Sequence, residues 1–194
     1  MRTLKKILSL IPLLVLWLTL SAFLWGFVFN LITDTSRDQK ITVCVDAQVP
    51  GDTELAVALE AKLGNSVRMV KVRPFTYAMF DEKTLTQADL YLVRASQAET
   101  YLDWFDPLPE EMRGDGKTLE IGGAPYGILA YDAETGRGIA AEYITYLEPG
   151  GEAESFYLVF GKQSLHLKSH EFAADDLAIT AARLLLAMNG SEPR

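Results

Sequence analysis

The sequence predicts an α/β fold: a three-layer mixed sheet, parallel in its N-terminal half and an antiparallel meander in its C-terminal half, preceded by one apolar transmembrane helix. Three observations predict it. Residues 7 to 33 carry no charge. From 41 to 109, β-branched runs alternate with segments of helical spacing. From 126 to 162 the pattern changes to short apolar runs parted by glycine-containing turns.

The first element is the run from Ile7 to Thr33, mostly Leu, Ile, Val, Phe, Trp and Ala. It is long enough for a hydrocarbon core that takes about 20 apolar residues to cross. Arg2, Lys5 and Lys6 precede it, which keeps residues 1–6 in the cytoplasm and sends the rest of the chain to the outer face of the cell membrane. Leu20-Ser21-Ala22 imitates a signal-peptide cleavage site, but "FLWGFVF" (23–29) carries the apolar run past the roughly 7–15 residues of a signal core. The segment 7–33 therefore reads as an uncleaved, single-pass anchor. Cys44 lies too far downstream for a lipoprotein attachment site, and as the only cysteine it excludes an internal disulfide.

"DTSRDQK" (34–40) is a short polar tether, 41–190 an extracytoplasmic domain and 191–194 a tail. The chain has 18 Lys and Arg against 26 Asp and Glu. Setting aside Arg2, Lys5 and Lys6 leaves 15 cations, and a net charge of −11 beyond the anchor. That sign excludes nucleic acid as a partner and docking on an anionic bilayer by charge alone.

"ITVCVDA" (41–47) is a β-branched strand, and "DTELAVALEAKLG" (52–64) a helix with Asp52 or Thr53 as N-cap and Gly64 as its stop. "SVRMVKV" (66–72) is the second strand, ended by Pro74; "FTYAMFDEKTLTQ" (75–87) suits a short helix. "ADLYLVRA" (88–95), apolar through its middle, reads as a strand covered on both faces. A helix follows from Ser96 to Phe105, stopped by Asp106-Pro107. Strand-helix repetition of this kind builds parallel pairing through crossovers. "YGILAYD" (126–132), "IAAEYITYL" (139–147) and "SFYLVFGK" (155–162) form the meander, the middle piece being compatible with a helix as well. "DDLAITAARLLLAMN" (175–189) closes the domain as an amphipathic helix with Leu177, Ala181, Leu184, Leu185 and Met188 on one face.

With "ITVCVDA", "ELAVALEAKLG", "SVRMVKV", "ADLYLV", "YLDWFDPLP" and "GAPYGILAYD" in this order, residues 41 to 132 resemble the first lobe of bacterial extracellular solute-binding proteins of the maltose/spermidine type. The resemblance implies one lobe of a type II periplasmic-binding fold, truncated relative to a family that closes two lobes on its solute. The segments "ESFYLVFGKQSLHL" and "DDLAITAARLLL" are similar to small membrane-anchored proteins of Gram-positive gut bacteria.

Four constellations bear on chemistry. Gly122-Gly123-Ala124-Pro125-Tyr126-Gly127 has the composition of a phosphate loop, yet its glycines precede a strand rather than a helix and Pro125 removes a donor, so it reads as a bend. His166 and His170, with Asp175 nearby, have metal-ligand residue types at i, i+4 spacing. "SLHLKSH" alternates like an extended chain, however, and solvated histidines beside a helix terminus are the plainer reading. Ser164 or Ser169 with a histidine and Asp175 or Asp176 supplies the types of a hydrolytic triad without a nucleophile turn. The aromatics Phe75, Tyr77, Phe80, Tyr101, Trp104, Phe105 and Tyr126 divide between core packing and a ligand or partner surface, for which Tyr77, Tyr101, Trp104, Phe105 and Tyr126 are the candidates.

These readings combine into a membrane-anchored binding or interaction module, not an enzyme and with no cofactor implied, whose partner is another membrane or exported protein. A solute-binding protein of an ABC-type uptake system, taking a small-molecule solute, is the alternative. A metal-dependent enzyme built on His166, His170 and Asp175 is the third.

Overall fold

The computed structural model describes residues 2–33, 35–75, 85–146, 154–173 and 175–188, and in the first helix the side chains of 11–26 and 28. Two compact units make up the chain, Met1–Ser36 and Arg37–Arg194.

The first unit is helix α1, Arg2–Thr33. Leu13, Leu14, Trp17, Leu18, Leu20, Phe23, Leu24 and Trp25 are all exposed, so apolar surface runs around the helix rather than along one stripe. Thr19, polar among these, turns its hydroxyl back onto the Val15 and Leu16 carbonyls at 3.0 and 2.9 Å. Among the described residues no helix is long and apolar enough to cross a membrane; the consecutive described side chains of α1 are those of 11–26.

The second unit is a mixed α/β structure built on one eight-stranded sheet. Its strands are β1 (Lys40–Val45), β2 (Met69–Pro74), β3 (Leu90–Arg94), β4 (Phe105–Asp106), β5 (Thr118–Ile121), β6 (Ala124–Asp132), β7 (Arg137–Gly138) and β8 (Phe156–Gly161). The order is β2-β1-β3-β8-β6-β5, with β4 beside β8 and β7 beside β6. β1 runs parallel to β2 and β3, and every other pairing is antiparallel. Among the elements described in full, the α-helices are α2 (Asp52–Leu63), α3 (Ala95–Ala98) and α4 (Leu177–Ala187).

The parallel half follows from the expected alternation. Gly51 precedes α2 and Gly64, at φ 60°, ends it in a conformation glycine adopts without strain. Asp52 begins the helix instead of capping it, and accepts the Thr53 amide at 2.7 Å. Leu55, Leu59 and Leu63, one helical face, pack on Ile41, Val43, Val45 and Val70. Each such buried leucine contributes roughly 1.5–3 kcal/mol. α4 lies on the same layer through Ala178, Ile179, Ala181, Ala182 and Leu185. The other layer gathers Cys44, Phe75, Tyr91, Val93, Phe105, Tyr157 and Val159. Apolar residues thus cover both faces of β1 and β3, which is why neither alternates with polar positions.

Three expectations are corrected. The helix expected over 96–105 ends at Ala98, and Leu102–Trp104 forms a single 3-10 turn. Phe105 and Asp106 are drawn out to pair with Gly161 and Phe160 of β8. The segment 139–147 is neither strand nor helix through its described residues, 139–146. Ile139 still bonds the Ala130 carbonyl, but Ala140 turns to φ 49° and donates to the Met188 carbonyl at the end of α4, leaving only the Gln48–Thr145 bridge. The C-terminal strands are also no simple meander, since β8 inserts between β3 and β6 while β6 pairs back to an unforeseen strand, β5. The expected element at 75–87 lies mostly outside the described residues.

The bend at Gly122-Gly123 is the turn of the β5–β6 hairpin. Ile121 faces Ala124, and the two glycines between them sit at φ 61° and 83°. Two successive left-handed residues form the two-residue turn whose twist matches that of the flanking strands.

Gly161 meets the tightest constraint in the sheet. A Cβ there lies 1.9 Å from the Ala88 carbonyl oxygen, a backbone atom that cannot rotate aside. Gly161→Ala is expected to destabilise the unit by about 3 kcal/mol, seen as a lowered melting temperature of the full chain in detergent, whereas Gly64→Ala, with open space around it, loses only about 1 kcal/mol from backbone strain.

Candidate functional site

The parallel strands have the order β2-β1-β3, so the chain leaves β1 toward one side of the sheet and reaches β3 on the other. Where the order reverses, the loops beyond the strand ends part, and open α/β sheets receive ligands in that crevice. The strands end there in Asp46, next after Val45, and Arg94.

Asp46 is held beside β3 by its amide, which donates to the Leu92 carbonyl at 2.8 Å. Arg94 then donates to it twice, Nε to Oδ2 at 2.8 Å and Nη2 to Oδ1 at 3.1 Å. This two-bond fork is the strong geometry for a guanidinium and a carboxylate. The pair is partly sheltered, with side chains 25% and 12% exposed. The Asp46 hydrogen bond is the main reason that Arg94 holds its proton more tightly than an ordinary arginine.

Because β8 runs antiparallel to β3, its start adjoins the same edge. Ala95 donates to the Ser155 carbonyl at 3.0 Å, and Glu154 accepts the Ser96 amide at 2.6 Å. The edge therefore brings two carboxylates to the Arg94 guanidinium: Asp46 by hydrogen bonds and Glu154 by its charge. Tyr101 meets Phe75 edge to face and Trp104 at a tilt, at ring-centre distances of 5.0 and 4.9 Å. Such a set offers hydrogen-bond recognition beside an aromatic surface.

The predicted surface aromatics part company. Tyr101, Trp104 and Tyr126 are half-buried along the second apolar layer. Phe105 is a core residue, 2% exposed and packed on Tyr91 at 5.1 Å. Tyr77 and Phe80 lie outside the described residues.

The histidines lie at the opposite end of the sheet, where β1 and β3 begin, and they are not solvated as expected. His166 is 1% exposed. Its Nδ1 meets Asp175 Oδ1 at 2.8 Å and its Nε2 the Arg37 and Lys40 carbonyls at 3.1 and 3.2 Å. His170 sets Nδ1 on the Ser164 carbonyl at 2.9 Å and Nε2 on Asp106 Oδ2 at 3.0 Å. Each ring is occupied by a different set of protein acceptors, and among the described residues no group of three or more His, Cys, Asp or Glu is gathered for a metal ion.

Nor do the triad types assemble. The buried Ser164 hydroxyl donates to Asp89 Oδ1 at 2.6 Å and accepts the His166 amide at 3.1 Å, while the imidazole nitrogens are turned to other groups. No imidazole nitrogen stands on the Ser164 hydroxyl, so the Ser-His-Asp arrangement is not formed there. Cys44 is equally inert, since burial pushes its thiol up to about 12.

Neither a protein-family model nor a curated protein matches the chain.

Asp46, Arg94 and Glu154 belong to no motif in the sequence. Asp46 and Arg94 are the polar residues closing two β-branched runs, and that position at the end of a parallel strand was the available signal. Arg94→Gln breaks the fork and leaves the Asp46 carboxylate without its cation; a loss of about 1–3 kcal/mol is expected, read by thermal melting. Arg94→Lys is expected to recover little of it, because an ammonium lacks the planar two-donor geometry.

Proposed function

We propose that the chain is a membrane-anchored extracytoplasmic binding or interaction module, non-enzymatic, accessory to a transporter or another envelope complex, and that it receives its partner at the edge formed by Asp46, Arg94 and Glu154. The observation that carries this reading is the Arg94–Asp46 fork astride the point where the strand order reverses. Its groups are donors and acceptors held in fixed geometry, which is the equipment of recognition; covalent or acid-base chemistry calls for a nucleophile paired with a base.

Support for the anchor comes from the charge-free stretch 7–33 and the cations before it. The continuous apolar surface of α1 points the same way, since a helix apolar all round is stable only when something apolar surrounds it. The back-bonded Thr19 hydroxyl suits the same setting. A sheet parallel in one half and antiparallel in the other is consistent with one solute-binding lobe. The half-buried Tyr101, packed against Phe75 and Trp104, favours a second reading, capture of a small solute for an uptake system.

Full-length protein is expected to stay with the membrane pellet after alkaline carbonate extraction; recovery in the supernatant defeats the anchor. In detergent extracts, an intact complex that co-purifies with the wild type and is lost with Arg94→Gln supports the interaction module. Thermal stabilisation by a member of a sugar and polyamine panel, abolished by Arg94→Gln, moves the assignment to solute capture. If neither depends on Arg94, the edge is not the binding surface.

A further inference from the structure

The two histidines share a feature that no binding role at the opposite edge requires. Every partner of their four ring nitrogens is a hydrogen-bond acceptor. For His166 these are the Asp175 carboxylate and the carbonyls of Arg37 and Lys40. For His170 they are the Ser164 carbonyl and the Asp106 carboxylate. A neutral imidazole has one N–H and one lone pair, and only the imidazolium donates from both nitrogens. Asp175 Oδ1 also accepts the Leu177 amide at 3.1 Å, which marks that oxygen as an acceptor and assigns the shared proton to the ring.

We propose that His166 is the proton-binding member of a clasp, made with His170, that fastens residues 164–173 and 175–176 of the connection between β8 and α4 to the end of the sheet, and that loss of the His166 proton releases the connection. The geometry states what is fastened. His166 joins the connection to the chain segment entering β1, through the Arg37 and Lys40 carbonyls, and to the approach to α4, through Asp175. His170 joins it to β4 through Asp106. Between them Ser164 bonds Asp89 at the start of β3.

The charged neighbours come from every side. Asp89 faces His166 from the start of β3, with the Cys44 thiol of β1 and the Tyr91 hydroxyl of β3 behind it. Arg37 approaches from the entering segment and donates to the Gln163 carbonyl at 2.7 Å and the Gln87 carbonyl at 3.4 Å. On the connection itself, Lys168 pairs with Asp176 at 3.3 Å. Lys40 contributes the first residue of β1, and Asp106 faces His170 from β4.

Burial by itself pulls His166 down. The Asp175 hydrogen bond, the charges of Asp89 and Asp175, and the Arg37 carbonyl outweigh it, so the imidazole stands above its ordinary value. Asp89 is raised as well, chiefly by burial. His166 thus holds in the folded state a proton that the unfolded chain releases at lower pH. The contribution of His166 is complete below the ordinary histidine value near 6.5 and disappears as pH rises through its higher folded value. The connection is therefore tight in acid and looser above neutrality.

With two histidines in the chain, ring-15N labelling of full-length protein in detergent micelles yields two sets of imidazole signals, and His170→Asn identifies them by removing one. At pH 6 both ring nitrogens of His166 are expected to carry protons, with a titration midpoint above about 6.5. Asp175→Asn is expected to lower that midpoint. Hydrogen exchange of the amides in 164–173, corrected for intrinsic rate, is expected to show an opening constant that rises with pH between about 6.5 and the His166 midpoint, by at most about tenfold per pH unit, and levels off above it. A single neutral tautomer of His166 at pH 6, a midpoint unmoved by Asp175→Asn, or opening that ignores pH overturns the clasp. Should Asp175→Asn fail to fold, the wild-type nitrogen shifts and exchange decide the matter alone.

Discussion

A carboxyl group buried at the start of the central strand sets the terms for one end of this domain. Asp89 is 4% exposed. Left without partners there, its oxygens would cost several kcal/mol in lost hydration. They are met from the two sides of β3, by the Thr42 amide at 2.8 Å and the Ser164 hydroxyl at 2.6 Å. The backbone repeats the arrangement, since the Asp89 amide donates to the Thr42 carbonyl and its carbonyl accepts the Gly161 amide, both at 2.9 Å. β1 is parallel to β3 and β8 antiparallel, so this residue holds together the two halves of a mixed sheet. The absent side chain at Gly161 is part of the same node, because the Ala88 carbonyl occupies the space a Cβ would need.

The two ends of the sheet consequently differ in character. At the Asp89 end polar groups are buried and linked in series from Thr42 through Ser164 and His166 to Asp175. Disturbing one member strands its neighbour, so that end is committed to holding the fold and to any proton dependence the fold acquires. At the other end Arg94 and Asp46 satisfy one another while keeping part of their surface in water. A rigid polar edge on a well-anchored sheet is what the proposed recognition role needs, because the groups are positioned before a partner arrives.

Much of the architecture was legible in local pattern. "ITVCVDA" and "ADLYLV" are apolar on both faces, and a strand of that kind lies inside a covered sheet. Leu55, Leu59 and Leu63 repeat at helical spacing and pack as one face. Gly64 and the Gly122-Gly123 pair stand at left-handed positions that glycine adopts without strain. Elements that depend on distant partners were not legible. The helix after β3 is cut short because Phe105 and Asp106 are claimed by β8, more than fifty residues away. The segment at 139–146 has strand-like and helix-like composition at once, and its turn is decided by the end of α4 through the Ala140 to Met188 bond. The candidate site was hidden for the same reason: Asp46 and Arg94 are unremarkable charges in sequence, and only the pairing of β1 with β3 makes them neighbours.

The histidines divide the two kinds of information most clearly. Sequence by itself determined the charge-free N-terminal stretch, the α/β alternation, the acidic balance and the absence of a disulfide, because each depends on composition or on spacing within one element. It also offered His166 and His170 as a pair four residues apart. Tertiary structure decided that they are separate, His166 buried and His170 partly so, and surrounded by acceptors, since their ring partners arrive from Arg37, Lys40, Ser164, Asp106 and Asp175. Local periodicity reports which face of an element is apolar; it carries no record of which remote carbonyl or carboxylate the folded chain brings against a polar atom, and that encounter determines the chemistry.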